Sequence, residues 1–277
     1  MSLMSKLLMS TVLATVAISA NTQPDNKLLV QYIKENVVKN PEVKVNGVTV
    51  IESKISKELP GWNILLTTMD MEYRGKDVHA PEMMFIKDGL ITGHLVNLKT
   101  GEDYRDTIKP TVSFAYYDNA HLLFGNKDAT HKILIFSDPQ CPFCQDVVPK
   151  IFKTAREHPK EIAIYYYHLP LLRIHPVSDV LTRVMHVAQE EGKKDIVEKI
   201  YALKINPQER DVTKILAEVK TQTGYSISAA KIDEKKVKDA LKADEEAAGR
   251  MMVSGTPTIY IDGEWDKTRD GYKKLIK

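Results

Sequence analysis

The feature that most constrains the fold is a buried-strand signal that ends a few residues before the two cysteines of the chain, Cys141 and Cys144. Residues 133–136 form a continuous apolar run, which is typical of a strand buried on both faces of a sheet. Apolar residues at helical spacing follow the cysteines as far as Ala155, and residues 162–167 form a second apolar run. This order predicts a βαβ unit, and therefore an α/β fold with the cysteines between a strand and a helix.

The spacing of the cysteines indicates chemistry rather than structural cross-linking. A disulfide stabilises a fold chiefly by closing a long loop, whereas a bond between Cys141 and Cys144 would close a very short one. The field at a helix N-terminus favours an anion, so we expect Cys141 to be an exposed, acidic thiol and Cys144 to be the buried resolving thiol. Pro142 suits the first helical turn because it lacks a backbone N–H, and we expect Pro142 and Phe143 to tune the pair.

Other interpretations of the cysteine pair were weighed. A structural zinc site needs four ligands, and the sequence has neither a second Cys-X-X-Cys nor a His pair at finger spacing. A haem attachment site needs a His directly after Cys144, where the chain has Gln145. An inert, strained disulfide stays open as an alternative. We expect no metal, and no cofactor other than a redox-active disulfide between Cys141 and Cys144.

Residues 1–20 have the layout of a secretory signal peptide. Lys6 is followed by an apolar run that ends at Ile18, and Ser19-Ala20 would suit cleavage. A membrane anchor is the alternative, but the run is shorter than the roughly 18 residues that a spanning helix needs. The sequence therefore predicts a soluble, exported mature protein.

Residues 21–98 predict a small α+β domain made of one helix and an antiparallel sheet. Apolar residues recur at helical spacing over residues 25–39. Asp88-Gly89 lies between two apolar runs and predicts a hairpin turn. The expected strands cover residues 44–55, 62–71, 83–86 and 90–95.

The rest of the chain predicts a linker over residues 99–126 and a catalytic domain over residues 127–277. Within that domain, residues 177–253 read as a helical insertion, because their apolar residues keep helical spacing between Gly and Pro breaks. A third strand is expected at residues 257–261 and a closing helix at residues 271–277.

The segment Phe-Ser-Asp-Pro-Gln-Cys-Pro-Phe-Cys at residues 136–144 resembles the active-site approach of periplasmic disulfide isomerases of the DsbC/DsbG family. Gly255-Thr256-Pro257-Thr258 resembles the cis-proline loop of that family. The resemblance implies a thioredoxin-like catalytic domain, with Thr256 and Pro257 binding substrate beside the cysteines, and an N-terminal domain that dimerises the protein. The chain departs from the family in its Pro-Phe dipeptide between the cysteines, where the isomerases have Gly-Tyr and the oxidase DsbA has Pro-His.

The sequence therefore predicts a periplasmic thiol-disulfide oxidoreductase that acts on exported proteins. We favour a homodimeric disulfide isomerase or reductase, kept reduced by a DsbD-like membrane partner. The alternatives are a DsbA-like oxidase served by a DsbB-like oxidant, and a dimeric periplasmic chaperone that holds unfolded chains. With 39 Lys and Arg against 37 Asp and Glu, the chain lacks the basic excess of a nucleic-acid binder, so no nucleic-acid partner is expected.

Overall fold

The computed structural model describes residues 26–276, so the predicted signal peptide over residues 1–20 lies outside the described residues. Within residues 26–276, no helix is both long enough and apolar enough to cross a membrane.

The N-terminal region is a helix packed on a four-stranded antiparallel sheet. The helix α1, Asn26–Tyr32, continues as a π-helical segment, Ile33–Val37. Asp88 and Gly89 both have positive φ angles, 50° and 77°, as a two-residue hairpin turn requires, which confirms the predicted hairpin. The strands lie in the order β1–β2–β3–β4 and cover β1 Val43–Ile55, β2 Asn63–Tyr73, β3 Lys76–Lys87 and β4 Leu90–Thr92.

Strand β3 begins earlier than the sequence predicted, at Lys76 rather than at residue 83. Pro81, which normally argues against a strand, lies inside β3 opposite Thr68 of β2. On the other side of β3, strand β4 pairs only with the residues from Phe85 onwards. Pro81 is therefore accommodated because no neighbouring strand needs its missing N–H.

The catalytic sheet has five strands in the order β5–β7–β6–β8–β9. Strands β6 and β7 are parallel and are joined by helix α2, which confirms the predicted βαβ unit. Strands β5 and β8 run antiparallel to β7 and β6 respectively. The bounds are β5 Leu122–Phe124, β6 His131–Ser137, α2 Pro142–Glu157, β7 Ile162–His168, β8 Thr258–Ile261 and β9 Glu264–Trp265.

Strand β5 lies inside the segment that the sequence predicted as a linker, residues 99–126. Leu123 is fully buried in the core of the catalytic sheet. Three residues are too few to show a period in the sequence, so the strand was missed. Gly125 ends the strand with a φ of +78°, and a Cβ at this position would clash with the carbonyl oxygen of Ile162. The linker itself contains two single-turn 3₁₀ helices, Tyr104–Asp106 and Phe114–Tyr116.

Helices follow β7 throughout most of the predicted insertion. Gly224 ends one of them in the left-handed conformation with a φ of 77°, as the sequence indicated. The closing helix is shorter than predicted: it is a 3₁₀ turn, Gly271–Lys274, in which Tyr272 alone is buried. Leu275 and Ile276, which follow the turn, also pack against the core of this domain. The helices are α3 Ser178–Glu190, α4 Lys194–Tyr201, α5 Val212–Thr223, α6 Ala229–Ile232 and α7 Lys235–Arg250.

The two sheets are connected through the segment that leads to the cis-proline loop. Met252 packs against the apolar cluster on one face of the first sheet, which includes Ile64 and Phe85. Lys109 of the linker donates a hydrogen bond of 2.8 Å from its Nζ to the carbonyl oxygen of Met252. The N-terminal region therefore contacts a segment that ends at the catalytic site.

Candidate active site

The two cysteines lie where strand β6 gives way to helix α2. Cys141 precedes the helix with an extended backbone, and its carbonyl accepts the first helical hydrogen bond from Gln145 N, at 2.9 Å. Pro142 occupies the first helical turn, as predicted. Cys144 lies in that turn, and both cysteines are free thiols in the structure. The helix N-terminus therefore points its unpaired N–H groups towards the sulfur of Cys141.

The expectation that Cys141 is exposed was wrong. Cys141 is only 5% exposed, and Cys144 is fully buried. The cis-proline loop covers Cys141: its Sγ lies 3.4 Å from the carbonyl oxygen of Thr256, 115 residues further along the chain. Reasoning from the helix end alone could not include this cover, because it comes from a distant segment. Pro142 and Phe143 are the parts of the motif that face solvent, and Phe143 is 66% exposed.

The pKa values of the two thiols are shifted in opposite directions. The pKa of Cys141 falls to about 5, chiefly because the Cys144 side chain donates a hydrogen bond to its sulfur. Burial acts in the opposite direction and raises the pKa. The Thr256 side chain and the backbone N–H groups of Cys144 and Phe143 lower it further. Burial is the main cause that raises the pKa of Cys144 above its ordinary value. At neutral pH the pair therefore consists of one thiolate and one thiol, which is the arrangement that a nucleophile and its resolving partner need.

The predicted substrate loop lies directly against the nucleophile. The peptide bond between Thr256 and Pro257 is cis, and Thr256 is buried beside Cys141. Thr258 begins strand β8, and its hydroxyl donates to the carbonyl of Gly255 at 2.7 Å. The structure thus brings Cys141, Thr256 and Pro257 together, and their roles in substrate binding stay a prediction.

Asp138, three residues before Cys141, is a fully buried anchor of the cysteine loop. Its Oδ1 accepts hydrogen bonds from Gln140 N at 2.8 Å and Ser178 Oγ at 2.6 Å. Its Oδ2 accepts from Leu171 N at 2.8 Å and lies 2.9 Å from His175 Nδ1. The carboxylate therefore fixes the cysteine loop to the segment that follows β7, as far as the first residue of α3. Sequence analysis missed these contacts because the partners from that segment are 33 to 40 residues away.

A second feature that sequence analysis missed is a group of three hydroxyls behind Cys144, which we call the hydroxyl cluster: Ser137, Tyr166 and Tyr201. The tyrosine run at residues 165–167 was interpreted as strand core, and Tyr166 is indeed almost fully buried. Its hydroxyl oxygen, however, lies 2.7 Å from that of Tyr201. The available sequence signal was the polar Ser137 directly after the apolar run at residues 133–136.

Within residues 26–276, no group of three or more His, Cys, Asp and Glu side chains is arranged to hold a metal ion.

Comparison with known proteins gives a family match over the catalytic domain. A family model described as Thioredoxin matches residues 118–277, more than half of the chain. The Na(+)/H(+) antiporter NhaA 1 of Mycolicibacterium gilvum (strain PYR-GCK) is 22% identical over 148 residues, which cover 51% of this chain and 24% of the antiporter. The NhaA 1 antiporter of Mycobacterium sp. (strain KMS) is 22% identical over 144 residues, covering 52% and 24%. This chain thus spans about a quarter of the length of these curated relatives.

Several solved structures are similar to a part of this chain. BdbD from Bacillus subtilis in its oxidised form has a TM-score of 0.47 and 18% identity, covering 61% of this chain and 93% of that chain. The catalytic domain of Proteus mirabilis ScsC has a TM-score of 0.46 and 21% identity, with 59% and 91% covered. A periplasmic thioredoxin-like protein from Salmonella enterica serovar Typhimurium has a TM-score of 0.47 and 18% identity, with 59% and 92% covered.

The family match coincides with the domain that holds the cysteines and the cis-proline loop. The chain therefore belongs to the thioredoxin family, and both of its cysteines lie in the matched residues.

Proposed function

We propose that this chain is a periplasmic disulfide isomerase or reductase of exported proteins. The observation that carries the exchange chemistry of this proposal is the pair of opposite pKa shifts at Cys141 and Cys144, beside the cis-proline loop; the isomerase direction rests on the separate N-terminal region. An acidic nucleophile and a buried resolving thiol are the two parts that thiol-disulfide exchange requires. Export to the periplasm is supported by the signal-peptide layout of residues 1–20.

The reaction begins when the Cys141 thiolate attacks a disulfide of the client. A bond forms between Cys141 Sγ and one client sulfur, and the other client sulfur leaves as a thiolate. If a client thiolate then attacks the mixed disulfide, the client leaves with a rearranged disulfide. If Cys144 attacks instead, the client is reduced, and the new Cys141–Cys144 disulfide needs a DsbD-like membrane reductant to restore it.

Client binding is assigned to the surface beside Cys141. An extended client segment would pair as an added strand with the backbone at Thr256, whose carbonyl oxygen lies 3.4 Å from Cys141 Sγ. Phe143 provides an exposed apolar side chain, and the Arg269 guanidinium lies 5.8 Å from the centroid of its ring. This surface suits apolar, unfolded client segments rather than one defined sequence.

A homodimer is proposed because the N-terminal region has a sheet and apolar core of its own but none of the cysteine chemistry. Leu90 is 70% exposed and Leu98 is fully exposed in that region. Apolar side chains that face solvent support pairing between two chains. Two catalytic sites on one dimer would hold a misfolded client while its thiols exchange repeatedly.

The second candidate is a DsbA-like oxidase, which the acidity of Cys141 favours. A thiolate with a pKa of about 5 stabilises the reduced form of the pair, and a stabilised reduced form makes the disulfide a stronger oxidant. In that case a DsbB-like partner would keep the pair oxidised.

Ribonuclease refolding separates the two candidates. We expect the reduced full-length protein to restore activity to scrambled ribonuclease, and the Cys141→Ser variant to restore none. Rapid oxidation of reduced ribonuclease without any rescue of the scrambled form would contradict the isomerase and support the oxidase. If a variant lacking both cysteines still suppresses client aggregation while neither redox assay responds, the protein is a chaperone. Sedimentation of a monomer at micromolar concentration would contradict the proposed dimer.

A further inference from the structure

The hydroxyl cluster lies in the apolar core directly behind the resolving cysteine. Ser137 ends strand β6, Tyr166 lies in β7, and Tyr201 ends helix α4. The Tyr201 hydroxyl oxygen lies 2.6 Å from Ser137 Oγ and 2.7 Å from the Tyr166 hydroxyl oxygen. All three side chains are buried, so the cluster is a continuous hydrogen-bonded chain shielded from solvent.

Cys144 belongs to the same buried apolar core as Tyr166 and Tyr201 of the cluster. Burial raises the pKa of Cys144, and a hydrogen bond with the Ser137 side chain acts in the opposite direction. The other groups that influence this thiol are Cys141 and the backbone of Asp138. Cys144 also interacts electrostatically with both tyrosines, which places the whole cluster within range of the sulfur.

The position of the cluster matters because Cys144 must react as a thiolate in a buried site. An anion without hydrogen-bond partners is very costly to bury. A hydroxyl can donate or accept, so the chain can point Tyr166 to Tyr201, Tyr201 to Ser137, and Ser137 to the sulfur as negative charge develops there. Hydrogen bonds aligned in this way strengthen one another in a medium of low dielectric constant.

We propose that Ser137 is a catalytic residue of the resolution step, donating a hydrogen bond to the Cys144 sulfur as it becomes a thiolate. Tyr201 and Tyr166 are positioning residues, because they act by orienting the Ser137 hydroxyl. This inference rests on the proposed function and assigns residues to its second half.

The atoms of the step balance without a further reactant. The Cys144 sulfur forms a bond with Cys141 Sγ, and the bond between Cys141 Sγ and the client sulfur breaks. The client sulfur leaves with the electron pair of that bond and takes up the proton that Cys144 gave up. Cys141 and Cys144 are oxidised to a disulfide, and the client is reduced to its thiol.

The test uses the reduced full-length protein and Ellman's reagent, 5,5′-dithiobis(2-nitrobenzoate). Attack by Cys141 releases a first thionitrobenzoate in a bimolecular phase, and attack by Cys144 releases a second in an intramolecular phase. We expect Ser137→Ala to slow the second phase by about tenfold to a hundredfold, as the loss of a hydrogen bond to a charged group implies, with the first phase unchanged. Tyr201→Phe should slow the second phase less, and Ser137→Thr should restore it.

Thr182→Ala is the matched control, because it removes a buried hydroxyl from helix α3 that is outside the cluster. It should leave both phases unchanged. An unchanged second phase in Ser137→Ala, or equal slowing of both phases, overturns the inference. If Ser137→Ala does not fold, Tyr201→Phe decides the matter, since it keeps the ring and removes only the hydroxyl. A wild-type protein that releases no thionitrobenzoate would instead count against the proposed function.

Discussion

Removing the Cys144 side chain should make Cys141 much less acidic, whereas replacing its sulfur with a hydroxyl should not. The hydrogen bond from Cys144 is the largest cause of the Cys141 pKa of about 5. A hydrogen bond to a charged group contributes about 1.5–3 kcal/mol, and one pKa unit corresponds to about 1.4 kcal/mol. The pKa of Cys141 in Cys144→Ala should therefore rise by about one to two units, to roughly 6–7.

The assay is the rate of alkylation by iodoacetamide between about pH 4 and pH 9, because only the thiolate reacts. Mass spectrometry of the peptide containing Cys141 restricts the measurement to that thiol. Cys144→Ser is the matched control: its hydroxyl can still donate, so its profile should stay near that of the wild type. The reasoning is refuted if Cys144→Ala keeps a midpoint near 5, or if the alanine and serine variants shift equally.

Three further predictions concern stability. Asp138→Ala leaves several buried donors without an acceptor and should lower the free energy of unfolding in urea by about 3 kcal/mol or more. Asp146→Ala, at an exposed position, should leave the free energy of unfolding almost unchanged. Equal effects of the two substitutions would contradict the anchoring role of Asp138. The reduced wild type should lose stability relative to Cys141→Ser as the pH falls from about 8 to 5. The reason is that a thiol whose pKa in the folded protein is lowered to about 5 stabilises the fold only above that pH. A difference in urea midpoint that stays constant over this pH range would contradict the lowered pKa of Cys141. Lys109→Met leaves the Met252 carbonyl oxygen unpaired and should lower the free energy of unfolding by about 1–2 kcal/mol. Lys109→Arg should stay closer to the wild type. Unchanged thermal unfolding of the methionine variant would rule out a stabilising contact between the linker and Met252.

The parts of the fold that the sequence predicted well are those with a strong local pattern. Strands β6 and β7 are continuous apolar runs, and helix α2 has regular helical spacing, so each could be identified without knowledge of its neighbours. The Asp88-Gly89 turn was equally clear, because a tight hairpin depends on the backbone preferences of two residues. Strand β5 is too short to show a period, and the start of β3 was hidden by Pro81.

The parts of the site that were missed depend on contacts between distant segments. The burial of Cys141 comes from a loop 115 residues away. The hydroxyl cluster joins β6, β7 and α4, and no spacing rule relates Ser137 to Tyr201. A sequence pattern reports the preferences of one segment, whereas these features arise only when three or more segments pack together.

The central claim, that Cys141 is the nucleophile of a thiol-disulfide oxidoreductase, is tested most directly by trapping its mixed disulfide. Reduced Cys144→Ser protein is mixed with a disulfide-bonded exported client, quenched with acid, and mapped by mass spectrometry. The account predicts a stable adduct whose client peptide is joined through sulfur to Cys141, and no adduct in the Cys141→Ser variant. Failure of Cys144→Ser to trap any client, or an adduct in Cys141→Ser that forms as fast through Cys144, would contradict the claim.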